Sequence, residues 1–256
     1  GERQARLDEG RTPATRFRVR PGVIGFNDAV RGRVEIDTSN LGGDFVIVRG
    51  DGTPLYHFTV VVEDAAMRIS HVIRGDDHVS NTPKQVILYE ALGKAVPRFA
   101  HIPLIMGEDG SRLSKRHGHT SVAEYMDTGY LPEAMFNFLS LLGWSPGDDT
   151  ELMERSDIIK RFTIERVKNK PAQFNLKKLT WMNSHYLKHL PAHLLYELTK
   201  PYFVKAGYDL AKFDEARLIK MVDLYRERIK VLSEIAEVTR FFFTDKINYQ
   251  PEAVAK

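Results

Sequence analysis

The chain has 256 residues, 43% hydrophobic and 28% charged, a balance that excludes a disordered chain and leaves enough apolar surface for one large domain or two ordinary ones. No apolar run approaches the roughly 20 residues of a membrane-spanning helix, so no membrane partner is expected. Residues 1–20 carry six arginines without a signal-peptide stretch, and the absence of cysteine excludes disulfides and thiolate metal sites, which fits a cytosolic protein.

The net charge of +3 is unevenly spread: residues 1–33 carry +4, residues 34–150 carry −7 and residues 151–256 carry +6. Basic flanks around an acidic centre suit a polyanion held at the sides, with other chemistry between.

Gly1 to Gly10 reads as the polar end of a helix with no initiator Met, as in a fragment. Thr15–Val19, Gly32–Asp37 and Asp44–Arg49 read as strands by alternation and β-branched content, and Gly50-Asp51-Gly52 as a turn. Leu55 to Glu63 is apolar and fits a strand or a short helix. Ser70–Arg74 reads as a short buried strand. A helix follows, with Thr82 as N-cap, Pro83 at the first position, Val86, Ile87, Leu88, Ala91 and Leu92 as its apolar face and Gly93 as its stop. Ile102–Met106 reads as the next strand, and strand–helix–strand is the unit of a parallel sheet. Glu108-Asp109-Gly110 makes a turn before the unperiodic, charged segment Ser111–Gly118. Ser121–Thr128, Pro132–Leu142, Ser156–Phe162, Leu176–Leu190, Ala192–Ala206 and Glu215–Phe243 then carry helical spacing. Pro191 suggests a boundary near residue 190. The whole is α/β to about residue 110 and helical afterwards.

Three segments carry chemistry. Arg112-Leu113-Ser114-Lys115-Arg116-His117-Gly118 combines three cations with a serine and a glycine. Ammonium and backbone N–H groups there can neutralise charge on a leaving pyrophosphate, although a solvated basic loop has the same composition. Val72-Ile73-Arg74-Gly75-Asp76-Asp77-His78 puts an arginine at the end of a predicted parallel strand, where open α/β sheets bind ligands. Arg74 can grip a carboxylate with two parallel bonds, and Asp77 and His78 can meet a ribose or an amine; a turn capping the next helix is the plainer reading. Tyr56, beside His57, can hydrogen-bond a polar substrate or sit in the core with its hydroxyl at the rim. The histidines show no metal-ligand spacing, and Trp144 and Trp181 read as core.

Taken in order, several stretches resemble glutamyl-tRNA synthetases, the class I aminoacyl-tRNA synthetases of bacterial or organellar type. They are Asn27-Asp28-Ala29-Val30-Arg31-Gly32, Gly52-Thr53-Pro54-Leu55-Tyr56-His57-Phe58, Ser70 to His78, Asn81-Thr82-Pro83-Lys84-Gln85, Leu113 to Gly118, Gly129-Tyr130-Leu131-Pro132-Glu133-Ala134, Leu141-Leu142-Gly143-Trp144 and Leu179-Thr180-Trp181-Met182-Asn183. Each alone is weak; the ordered set is specific and covers most of the chain.

The resemblance implies the second half of a Rossmann-type catalytic domain with a connective-peptide insertion, followed by mainly helical regions. Residues 1–56 would be the connective region that holds the tRNA acceptor end, 57–105 the second Rossmann half, 106–190 the stem-contact domain with the ATP-phosphate loop, and 191–256 the start of the anticodon-binding region. The family's first Rossmann half would be absent. Arg112, Leu113, Ser114, Lys115 and Arg116 would bind ATP phosphates, with Lys115 and Ser114 closest to the chemistry. Arg74 and Tyr56 would contact glutamate, and Asp77 and His78 would line the ATP site. The implied substrates are L-glutamate, Mg²⁺-bound ATP and tRNA(Glu), with tRNA(Gln) left open, and no zinc is expected in this chain. The implied setting is the cytoplasm, or an organellar matrix or stroma in a eukaryote. A glutamyl-queuosine-type relative, a glutaminyl enzyme and a non-catalytic tRNA-binding module remain as alternatives.

Overall fold

The computed structural model describes residues 2–10, 12–114, 118 and 121–244. The chain forms two units: the first is Gly1–Leu104 with Gly143–Ser145 and Thr163–Ala172, and the second is Ile105–Leu142 with Pro146–Phe162 and Gln173–Lys256.

In the first unit a short polar helix, α1 (Glu2–Asp8), precedes β1 (Thr15–Phe17), β2 (Val23–Asp28), β3 (Gly32–Asp37) and β4 (Phe45–Val48). β1 and β4 form an antiparallel ribbon, and β2 and β3 an antiparallel hairpin in register from Val23↔Asp37 to Asp28↔Gly32. β2 is not among the predicted strands, because Gly25, Asn27 and Asp28 are poor strand formers. Its neighbour supplies the reason for the glycine. A Cβ at Gly25 would lie 2.1 Å from Arg33 Nη2, so the Arg33 side chain crosses β2 where no side chain stands.

The ambiguous apolar stretch after Pro54 is a helix, α2 (Tyr56–Ala66). Its fully buried Val61 shares a cluster with Leu88 and Tyr89 of α3 (Thr82–Ala91), and Phe17, Phe45, Ile47, Phe58 and Ala65 pack around them. β5 (His71–Gly75) precedes α3, and β6 (Arg98–Ile102) follows it. β5 and β6 pair in parallel over five residues, which is the expected strand–helix–strand unit. The strand predicted at 102–106 lies earlier in the chain: β6 ends at Ile102, before Pro103, which cannot donate to a ladder, and of the predicted stretch only β7 (Ile105–Met106) is a strand of its own. The sheet order is β3-β2-β6-β5. Ile24, Phe26 and Phe99 cover one face of it together with Leu41 and Val86. Thr82 is not the predicted N-cap: a 3₁₀ turn over Asp76–Asn81 runs directly into α3, and the Thr82 hydroxyl points elsewhere. Trp144 is buried as expected, at 3% exposure.

The second unit holds α4 (Val122–Thr128), α5 (Pro132–Leu141), α6 (Arg155–Arg161), α7 (Leu176–His189), α8 (Ala192–Lys205), α9 (Glu215–Tyr225) and α10 (Ile235–Val238). α4 starts from a Ser121/Glu124 capping box, and α7 from Asn175, whose Oδ1 accepts the Lys178 N–H at 2.9 Å. Leu131, Ala134, Leu187, Leu195, Phe203, Val222 and Ile235 form the main core. The single helix predicted over 215–243 breaks after Tyr225, and Ile229 and Val231 have extended backbone. Trp181, predicted as core, is 48% exposed on α7, while Met182 and Leu179 beside it take the buried positions. Among the described residues no helix is long and apolar enough to cross a membrane.

Candidate active site

Strand register assembles the first cluster. Arg74 pairs with His101 across β5 and β6, and Asp28 pairs with Phe99 where β2 meets β6. Three strand ends therefore converge, at the carboxyl end of the parallel pair. The Asp28 carboxylate is enclosed by donors. Its Oδ1 accepts the Val30 and Arg31 N–H groups at 3.0 and 2.9 Å, and its Oδ2 accepts the His101 N–H at 3.1 Å and the His101 Nδ1–H at 2.6 Å. Burial raises the Asp28 pKa, but the donors from Arg31, His101 and Val30 outweigh it and hold the carboxyl below its ordinary range. Burial pushes the His101 imidazole below its ordinary value, against the opposing effect of Asp28.

Arg74 is bound from the other side. Its Nε donates to His101 Nε2 at 3.1 Å, and its Nη2 donates to Thr82 Oγ1 and Gln85 Oε1, both at 2.7 Å. Thr82 and Gln85 stand three residues apart on the first turn of α3 and so share a face. The guanidinium carbon lies 5.7 Å from the Phe99 ring centroid. Nη1 takes part in none of these bonds. The two-pronged carboxylate grip expected of Arg74 is thus partly committed to the protein, with Nε and Nη2 turned to His101, Thr82 and Gln85 and the Tyr56 hydroxyl a further hydrogen-bond partner of the guanidinium.

Around Arg74 stand Tyr56, His57, His78 and Lys84. Tyr56 is 48% exposed, so its ring is not core, and its hydroxyl lies 3.5 Å from His78 Nδ1. His78 Nδ1 also meets Asn81 Nδ2 at 3.0 Å. The His57 pKa is lowered by burial and then by the nearby Lys84 and Arg74 charges, which marks the pocket as electropositive. Asp77 is exposed, and its Oδ1 lies where a Cβ on Gly75 would come within 2.6 Å, so a side chain there would displace the Asp77 carboxylate. Asp76 pairs instead with Arg31, at 2.6 Å.

The basic loop belongs to the second unit. Asp109 Oδ1 accepts the Ser111 N–H and hydroxyl, Gly107 N–H donates to Ser111 O at 2.8 Å, and Leu113 N–H donates to Ile105 O at 3.0 Å. This hairpin delivers exposed Arg112 and Ser114 and half-buried Leu113. Lys115 and Arg116 lie outside the described residues. Leu113 and Gly118 border a cleft of about 740 Å³ whose walls include Tyr125, Tyr130 and Phe174. Among the described residues no group of three or more His, Asp or Glu side chains can hold a metal ion.

Asp28, His101, Thr82 and Gln85 were not singled out from the sequence. Asp28, Thr82 and Gln85 fall inside motif stretches, but nothing in their spacing joins them to Arg74. His101 is 27 residues from Arg74 and meets it only through strand register.

Comparison with known proteins agrees with this architecture. Residues 1–181 match the family of class I tRNA synthetases (E and Q), catalytic domain, and residues 194–256 match an anticodon binding domain. The chain is 45% identical to glutamate–tRNA ligase 2 of Caldanaerobacter subterraneus subsp. tengcongensis over 97% of its own length and 52% of the relative's. It is 47% identical to the glutamate–tRNA ligase of Aquifex aeolicus, over 95% of this chain and 52% of that one. The chain thus spans about half the length of the curated relatives it matches. A crystal structure of glutamate–tRNA synthetase from Elizabethkingia anophelis superposes with a TM-score of 0.89 at 31% identity, covering 99% of this chain and 54% of that one. A glutamate–tRNA ligase from Elizabethkingia meningosepticum, solved in complex with its amino acid, gives the same values. With the family match extending over most of its residues and a fold shared at this level, the chain belongs to the class I tRNA synthetases of the E and Q type.

Proposed function

We propose that this chain is part of an enzyme that ligates L-glutamate to tRNA(Glu) through a glutamyl-adenylate. The observation that carries the reading is Arg74, held at the carboxyl end of a parallel strand in an electropositive pocket with Tyr56 and His78, inside a chain whose relatives are named glutamate–tRNA ligases. In the first step the glutamate α-carboxylate attacks the α-phosphorus of ATP, forming a C–O–P linkage and releasing pyrophosphate. In the second, the terminal ribose hydroxyl of the tRNA attacks the activated carbonyl and AMP leaves. Positioning and charge stabilisation supply most of the rate in such transfers.

Arg74 and Tyr56 bind glutamate, and Asp77 and His78 line the ATP site. Arg112, Leu113, Ser114, Lys115 and Arg116 hold the phosphates, Lys115 and Ser114 at the reacting end. Mg²⁺ enters with the nucleotide as part of the substrate. Residues 1–56 serve the acceptor end, where exposed Arg16, Arg18 and Arg20 alternate with half-buried Phe17 and Val19. Residues 57–105 complete the catalytic sheet, 106–190 contact the stem and 191–256 begin the anticodon side. The protein works in the cytoplasm. A queuosine-type relative, which lacks a full anticodon domain, is disfavoured by the match at 194–256.

The test is glutamate-dependent ATP–pyrophosphate exchange in the full-length protein. Lys115→Ala slows exchange by about 10²-fold or more with glutamate KM near normal, as for loss of a charge contact made in the transition state. Arg74→Lys raises glutamate KM, because one ammonium cannot replace the fork or satisfy Thr82, Gln85 and His101 together. Exchange that needs no glutamate, or is indifferent to both substitutions, refutes the reading.

A further inference from the structure

The buried His101 ring behind Arg74 has only one protonation that matches Asp28 and Arg74 together. An ionised carboxylate is an acceptor at all its lone pairs, so Asp28 Oδ2, 2.6 Å from His101 Nδ1, requires a proton on Nδ1. The guanidinium is a donor at every nitrogen, so Arg74 Nε, 3.1 Å from His101 Nε2, requires a bare lone pair there. Both ends of the ring therefore select the same species, neutral imidazole with its proton on Nδ1. A proton on Nε2 could be accepted by Thr82 Oγ1, 3.0 Å away, but it would leave Arg74 Nε without an acceptor and set N–H against N–H. The ring has no freedom to avoid this: it stacks on Phe99 at 6.0 Å with 14° between planes, and His101 is 1% exposed.

The network also carries a cost that stability alone does not explain. Gln85 turns its carbonyl to Arg74 and leaves its amide Nε2 buried with no partner among the described residues. The opposite amide orientation would face Arg74 with donors. The unpaired nitrogen is thus a consequence of fixing the guanidinium in one pose, with Nε and Nη2 turned inward and Nη1 free of these bonds.

We infer that His101, with its tautomer set by Asp28, is a positioning residue that aims the Arg74 Nη1 edge at the substrate carboxylate. This deepens the reading of Arg74 as a glutamate contact and rests on it. Neither Asp28 nor His101 touches substrate; both act through Arg74.

Asp28→Asn is the discriminating variant. The amide Oδ1 can still accept the Val30, Arg31 and His101 backbone N–H groups, the last at 3.2 Å, while its Nδ2 faces His101 Nδ1 as a donor and drives the ring proton to Nε2. The fold is retained, but the acceptor for Arg74 Nε becomes a donor. In the full-length protein, glutamate KM in the exchange assay rises about ten- to a hundredfold, as for a buried polar group left unmatched, while ATP KM stays within about twofold. His101→Gln, which can offer Oε1 to Arg74, recovers part of the glutamate affinity; His101→Phe, of similar bulk, does not. Nitrogen NMR of the histidine rings in the wild-type protein should show a protonated Nδ1 and a bare Nε2 for His101.

Arg74→Ala separates the two claims. If it leaves glutamate KM unchanged, the glutamate reading of Arg74 fails. If it raises KM while Asp28→Asn and His101→Phe do not, the positioning role alone is overturned. A wild-type His101 that is charged or protonated on Nε2 overturns it as well, whether or not the variants fold.

Discussion

Asp28 and His101 both resist protonation in the folded chain, and the consequence for stability has one sign. The unfolded histidine takes up a proton below its ordinary value of 6.5, whereas folded His101 titrates lower because it is buried. Below pH 6.5 the unfolded state therefore binds more protons, and stability falls as the pH falls. Asp28 adds a second loss below 3.8, since its folded carboxyl is held lower by its donors. Urea midpoints should decline on acidification from pH 7, and His101→Gln should flatten the decline below 6.5. A parallel decline in both proteins would assign the acid sensitivity to other groups. At this scale the sequence shows the ligand-facing residues better than their supports. Arg74, Tyr56 and His78 stand in short motifs whose chemistry is readable in place. Asp28 follows Asn27 at the end of β2 and His101 stands between Ala100 and Ile102 in β6, and only register puts them beside Arg74.

The second unit's helices were legible wherever apolar spacing and caps coincided, as in α4 with its Ser121/Glu124 box. The break after α9 was not, because Ile229, Val231 and Leu232 keep an apolar rhythm while their backbone is extended or just beginning a new turn. Distant partners stop the helix. Asn183 of α7 donates to Lys230 O at 2.6 Å and accepts the Leu131 N–H at 2.7 Å, and Leu232 N–H donates to Gly129 O at 3.0 Å. Asn183→Ala strands two backbone groups and should cost about 2–5 kcal/mol, read as a lower urea midpoint at unchanged m-value. Gly129 has φ +101°, and a Cβ there would lie 2.6 Å from Leu232 N. Gly129→Ala should cost about 2 kcal/mol or more, from strained backbone and displacement of that segment. A neutral result at either position would show that the 229–232 segment is held by its apolar side chains alone.

Over the whole molecule, the charge partition visible in the sequence carries the largest-scale prediction. On the proposed reading, tRNA bound to this chain is released by salt, with a log–log slope of about −0.7 to −0.9 per phosphate neutralised. Replacing Arg16, Arg18 and Arg20 by Ala should make the slope shallower in a filter-binding titration; an unchanged slope would remove residues 1–56 from the interface. The division of the chain into units was harder to read, because the segments that return to the first unit have no periodicity. They are joined to each other, where Lys168 N–H donates to Gly143 O at 2.7 Å and Trp144 bridges to Val167, and to the earlier residues where Ala172 N–H donates to Leu104 O at 3.1 Å. During synthesis α4, α5 and α6 all follow residue 104 and precede residues 163–172, which belong to the first unit. The nascent first unit therefore emerges without the segment that finishes it, and it cannot be completed in step with its own synthesis. Until residue 172 clears the exit tunnel, the Leu104 carbonyl lacks the Ala172 N–H that it accepts in the folded chain.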